Sequence, residues 1–149
     1  MGQLPDAPKD PLWLPALIRL ASVCAQLADA DRALELSRIL APYKHQAAAT
    51  GGTWFGSISH CLGLLTTVLG DLDKAEDHFV RAEDMHEGFG AVPWTARTRL
   101  EWANTLLIRG RSGDVDRARR RLGQALATAR ELGLGGLERR AATLLQDCS

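Results

Sequence analysis

The sequence predicts an all-α fold, a right-handed helical-repeat solenoid of three helix pairs with a C-terminal closing helix. Three observations predict it. Apolar residues recur at helical spacing along the chain, and no segment alternates with the period of two that marks a half-buried strand, so no sheet is expected. The tripeptides Asp31-Arg32-Ala33, Asp73-Lys74-Ala75 and Asp116-Arg117-Ala118 lie 42 and 43 residues apart. Each tripeptide opens the second helix of a pair, behind a turn. One helix pair cannot bury both of its faces, so three in register imply stacking.

The central pair, within residues 54–87, is the clearest. Ile58, Cys61, Leu62, Leu65, Val68 and Leu69 form one helical stripe. Gly70 ends that helix and Asp71 caps the next by accepting backbone N–H bonds. Leu72, Ala75, Phe79, Ala82 and Met85 form the facing stripe. Gly63 and Ala75 are small residues on facing helices, and small residues there let two backbones approach closely.

The other elements follow in order. Residues 1–10 are polar, with Pro5 and Pro8, and read as a disordered lead-in to a single domain over residues 11–149. The first pair occupies residues 11–41, with Pro11 at the helix start and Pro42 as its stop. Residues 42–53 form a long connection whose alanines favour an extra helical turn before Gly51-Gly52. The third pair covers residues 93–132, with Ala103 where the second has Gly63, and with Asp114 expected to cap its second helix. A short helix over residues 137–146 closes the stack through Leu137, Ala141, Leu144 and Leu145.

The spacing of small residues around Phe79 resembles the tetratricopeptide helix-turn-helix. The runs GGTWFGSISHCLGLLTTVLGDLDKAEDHF, GFGAVPWTARTRLEWANTLLIRG and RARRRLGQALATARELGL are also similar to the C-terminal repeats of actinobacterial LuxR-type and adenylate-cyclase-type STAND ATPase regulators. That resemblance covers residues 51–145. It implies a sensor or regulatory scaffold that binds a protein or peptide partner, such as an ATPase or DNA-binding module. The chain has no Gly-rich loop with Lys-Ser/Thr and no recognition helix, so the resemblance assigns ATP or DNA binding to no residue here.

Composition narrows the function classes. The formal net charge is zero, which removes a global argument for nucleic acid. The charge is unevenly spread, from −5 over residues 1–90 to +5 over residues 91–149. Arg117, Arg119, Arg120 and Arg121 form the densest basic cluster, with no aromatic residue interleaved, and read as partners of acidic residues on the preceding helices. Cys24, Cys61 and Cys148 have no metal or redox spacing and read as reduced thiols of a cytoplasmic protein. No membrane span and no secretory pattern is expected.

The candidate chemistry is sparse. His60 and Cys61 are neighbours that a helix points about 100° apart, so they do not form a thiolate pair. His45, His78 and His86 lack zinc-site spacing. The carboxylates Glu76, Asp77, Glu83, Asp84 and Glu87 read as a solvated face. No catalytic residue, cofactor or metal is expected. In a stack of this type the first helix of each pair lines the concave face, which places Ser22, Gln26, Ser57, His60, Leu64, Thr67, Arg97, Leu100 and Asn104 in a partner-binding groove. The alternative is a small-molecule or enzymatic site built on His60, Arg97 and Asn104. The first helix carries more apolar residues than one stripe needs, and Trp13, Leu14, Leu17 and Ile18 are therefore expected to mediate a homodimer.

Overall fold

A computed structural model describes residues 12–149. The lead-in expected over residues 1–10, and Pro11 as a helix start, lie outside the described residues. The described chain is mostly helical, with seven α-helices and one small two-stranded sheet. Its order is α1 (Trp13–Leu27), α2 (Ala30–Leu40), β1 (Ala47–Thr50), β2 (Thr53–Ser57), α3 (Ile58–Val68), α4 (Leu72–Gly88), α5 (Val92–Arg109), α6 (Asp114–Glu131) and α7 (Gly135–Asp147).

Helix starts follow local chemistry. The Asp29 side chain accepts the Arg32 N–H at the start of α2, and Asp71 accepts the Lys74 N–H at the start of α4. Ser57 does the same for α3 by accepting the His60 N–H. Asp114 does not cap α6. It is the first helical residue, and its buried carboxylate is bound instead by the Arg109 guanidinium and the Arg111 N–H.

The sheet corrects the expectation of a purely helical connection. Gly51 and Gly52 both hold positive φ, 53° and 80°, and join β1 to β2 in a two-residue turn between the paired Thr50 and Thr53. Two consecutive left-handed residues match the right-handed twist of a hairpin, and glycine adopts them without strain. The alanines of residues 47–49 therefore pair with Ser57, Gly56 and Trp54 of β2 instead of extending a helix.

Each helix packs on its successor, and α1 on α3, α3 on α5 and α5 on α7 also touch. The core has two parts. One joins Leu17, Ile18, Ala21, Leu36, Leu40, Ile58, Leu62 and Leu65. The other joins Phe79, Leu100, Trp102, Leu106, Leu122 and Ala141. The apolar width of α1 is used within this chain. Leu17 and Ile18 are buried, Leu14 packs against the same core, and Trp13 meets Tyr43 edge-on with ring centroids 5.5 Å apart. Of these four residues, expected on a dimer surface, Leu17 and Ile18 are buried within the chain and Trp13 and Leu14 are partly buried, because the hairpin and the turn after α2 add a wall that helical periodicity does not reveal.

Gly63 of α3 lies directly against Phe79 of α4, and a Cβ at Gly63 would stand 2.6 Å from the ring. Phe79 is fully buried and has no room to retreat. Gly63→Ala is expected to destabilise by roughly 1–3 kcal/mol through overpacking, despite the ~1 kcal/mol that alanine gains over glycine in helix propensity. Gly123 of α6 is exposed with open space around it, so Gly123→Ala should stabilise. Urea midpoints moving in the same direction for the two variants would contradict this packing.

Candidate functional site

The charge asymmetry of the sequence is resolved between helices. Arg99 of α5 bonds Glu83 and Glu87, and Arg121 of α6 bonds Glu83. Arg117 pairs with Glu76, whose second oxygen accepts from Arg109 at 2.7 Å. Trp102 donates its indole N–H to Glu76 at 3.1 Å, and the Arg121 guanidinium lies over the Trp102 ring. Glu76 and Glu83 are therefore half-buried structural anions, in contrast to the solvated face expected of α4. Their period along α4 turns them toward α5 and α6. A small pocket of about 280 Å³ lies among these groups, and of its four arginines Arg99, Arg117 and Arg121 already hold carboxylates while Arg120 holds none among the described residues.

A larger cavity, about 700 Å³, opens on the other side of the molecule. All of its lining residues come from odd-numbered helices. Ser22, Ala25 and Gln26 are on α1, His60 and Leu64 on α3, Trp94, Arg97, Glu101 and Asn104 on α5, and Gly136, Leu137 and Arg140 on α7. A second cavity of about 550 Å³ adjoins it toward the hairpin and shares Ser22, Trp94 and Arg97. Its remaining walls are more apolar and include Ile18, Val23, Trp54, Phe55 and Pro93.

Six of the nine groove residues read from the sequence line this space: Ser22, Gln26, His60, Leu64, Arg97 and Asn104. Three do not. Ser57 is buried as the cap of α3, and Leu100 is buried against Phe79 and Leu106 in the core. Thr67 is half-buried, with its hydroxyl engaged by the Gly63 carbonyl and by Thr105, each at 2.8 Å. Ser57 sits one residue ahead of the helix, where backbone geometry aims its side chain at the cap. Leu100 falls on the stripe that meets α4 and α6. Trp94 also walls this space, and the sequence reading missed the contribution of α7. Arg140 reaches back to Glu101 at 2.6 Å and joins α7 to α5 across the cavity rim.

Behind the cavity, a chain of hydrogen bonds determines which atoms face it. The Ser57 backbone N–H donates to His86 Nε2 at 3.0 Å. A backbone N–H can only donate, so His86 Nε2 is an unprotonated acceptor and its proton sits on Nδ1. His86 Nδ1 lies 3.1 Å from Thr98 Oγ1 and donates to it. The fully buried Thr98 hydroxyl keeps one proton to donate, and His60 Nδ1, 2.9 Å away, is the acceptor that leaves no buried hydroxyl proton unpaired. His60 is thereby assigned as the Nε2–H tautomer. Burial holds both imidazoles neutral: desolvation pushes the His60 pKa down to about 3 and that of His86 down to about 4. Both rings lie against Trp94, 5.7 and 5.8 Å between ring centroids. Gly56 lets Trp94 in, since a Cβ there would stand 2.7 Å from the indole.

Thr98 follows His60 by 38 residues, the offset that also separates Thr67 from its partner Thr105. The two pairs show α3 and α5 meeting in one register, which differs from the repeat spacing read from the sequence. Cys61, beside His60, points into the core, where burial pushes its thiol up to about 12. Among the described residues, no helix is long and apolar enough to cross a membrane. In comparisons with known proteins, no protein-family model, no curated protein and no solved structure matches this chain.

Proposed function

We propose that this chain is a tetratricopeptide-like binding module, three stacked helix pairs closed by α7, whose concave face holds a peptide segment of a protein partner. The observation that carries the reading is the origin of the large cavity's lining, entirely on α1, α3, α5 and α7. Stacked pairs place their first helices side by side in this way, and such a trough is a face on which an extended or helical peptide docks. The sequence resemblance of residues 51–145 to repeats of bacterial signalling ATPases extends the reading to a sensor or regulatory scaffold.

The groups in the cavity support binding over catalysis. His60 has a threonine hydroxyl behind it in place of a carboxylate that would raise its basicity, and its pKa, pushed down to about 3 by burial, makes it a poor proton acceptor at neutral pH. Cys61 faces away with its thiol protonated. The test is a display library of random peptides panned against the wild-type chain and against Asn104→Trp, which fills the trough from the middle of α5. Enrichment on the wild type and its loss on a variant that keeps its helical content and melting temperature are expected. Absence of any enriched peptide on the wild type would defeat the proposal.

A further inference from the structure

Three features of the trough specify what an occupant must present. First, His60 is only 6% exposed, and its Nδ1 is occupied by Thr98. Its Nε2–H has no hydrogen-bond partner among the described residues, yet it is not sealed, since the sealed unpartnered side-chain atoms there are Ser37 Oγ and His78 Nδ1. His60 lines the large cavity, so this N–H opens onto it as a fixed donor that needs an acceptor. Second, the Arg97 guanidinium lies 5.1 Å from the centre of the Trp94 ring and has no carboxylate within ion-pair distance among the described residues. Trp94 touches both His60 and Arg97, which places the donor and the cation on the same wall. Third, Arg97 and Trp94 belong to both cavities, so the trough continues past the cation in two directions.

The local charge selects the anion. The large cavity is lined by Arg97, Arg140 and Glu101, and Arg140 is spent on Glu101, so one net positive charge remains there, at Arg97, while Arg19 stands on the wall of the adjoining cavity. A carboxylate accepts from Arg97 and from a neutral imidazole N–H at once, and its single charge matches the single cation beside His60. A chain end would terminate at the carboxylate, but the trough runs on beyond it. The apolar walls on the hairpin side, Trp54, Phe55 and Ile18, suit a large aliphatic or aromatic side chain.

We propose that the wall between His60 and Arg97 is a recognition subsite for the side-chain carboxylate of an aspartate or glutamate within the bound peptide, with an apolar residue of the same peptide seated beside Trp54 and Phe55. This deepens the reading of the trough as a peptide-binding face and rests on it. The Thr98 hydroxyl and His86 are positioning groups, because they keep the His60 donor proton on the side facing the peptide.

The experiment uses the full chain and the peptides enriched from the random library, resynthesised with acetylated and amidated ends. The enriched sequences are expected to share an acidic residue next to an apolar one. Changing that acid to its amide should weaken binding about tenfold, as befits the loss of a charge-assisted pair. Arg97→Gln should weaken the acidic peptide to the same degree and leave the amide peptide unchanged. Long-range ¹⁵N spectra of the imidazoles should place the His60 proton on Nε2 and show it moving downfield when the acidic peptide binds. Enriched peptides without an acidic preference, or equal binding of acid and amide, overturn the carboxylate subsite while leaving the trough a peptide-binding face. Peptides that bind only with a free C-terminal carboxylate overturn the side-chain assignment. If no peptide is enriched, the binding-face reading and this one fall together.

Discussion

Replacing Arg109 by methionine is expected to cost about 3–5 kcal/mol of folding stability, the range for removing one partner of a buried ion pair. Arg109 is the last residue of α5, and its side chain is only 8% exposed. Its Nε and Nη2 donate to the two oxygens of Asp114 at 2.9 Å each, a bidentate fork, and its Nη1 reaches Asp73 and Glu76. The Arg109 fork, first among several bonds, holds the Asp114 carboxyl down at about 2. Methionine keeps the apolar stem but leaves the Asp114 carboxylate buried, with the Arg111 N–H and a distant Arg117 as its remaining partners. Arg109→Lys keeps the charge without the fork and should lose less. The double variant Arg109→Met with Asp114→Leu should recover part of the loss, because no uncompensated charge remains. Urea unfolding gives the comparison, and an Arg109→Met midpoint equal to the wild type would refute the role assigned to this junction.

Acidification from neutral pH to about pH 5 is expected to remove roughly 4 kcal/mol from the neutral His60 and His86 pair alone, at about 1.4 kcal/mol per pH unit for each. The sign follows from burial. Both folded-state pKa values lie below the ordinary histidine value, at about 3 and about 4, because charging either ring inside the fold is unfavourable. The unfolded chain binds protons below about pH 6.5 while the native state does not, so stability is full above that value and falls as pH drops toward the folded values. His78, with its pKa also lowered to about 4 by burial, adds in the same direction. The depressed carboxylates act elsewhere: Asp114 contributes stability above the ordinary aspartate range and loses it only as pH approaches about 2. A fall in the urea midpoint between pH 6.5 and 5 therefore reports the histidines. A flat profile across that window would show that burial does not hold them neutral.

Some of this molecule was legible from residue spacing alone. Helix stripes, the caps at Asp29 and Asp71, and the contact of Gly63 with Phe79 depend on neighbours within one or two turns, or on two adjacent helices joined by a short turn. Periodicity also placed six cavity-lining residues, because every third or fourth position of a helix looks the same way. It failed at Ser57 and Leu100, where one residue of register separates a cavity wall from a cap or a core. The hairpin was visible only as Gly51-Gly52 ahead of Trp54 and Phe55, a signal outweighed by the helix-favouring alanines before it.

By itself, the sequence determined that the chain is helical, where most helices begin, and which faces are apolar. The tertiary structure decided what each face meets. It assigned the broad apolar surface of α1 to the hairpin and α3, turned the acids of α4 into partners of Arg99, Arg109, Arg117 and Arg121, and joined Ser57, His86, Thr98 and His60 into one proton-ordered chain. The physical reason is range. Helix formation is governed by bonds between residues four apart, whereas the ring partners and most of the ion pairs that shape the cavity and its opposite face join residues 12 to 41 apart, and only packing brings them within reach.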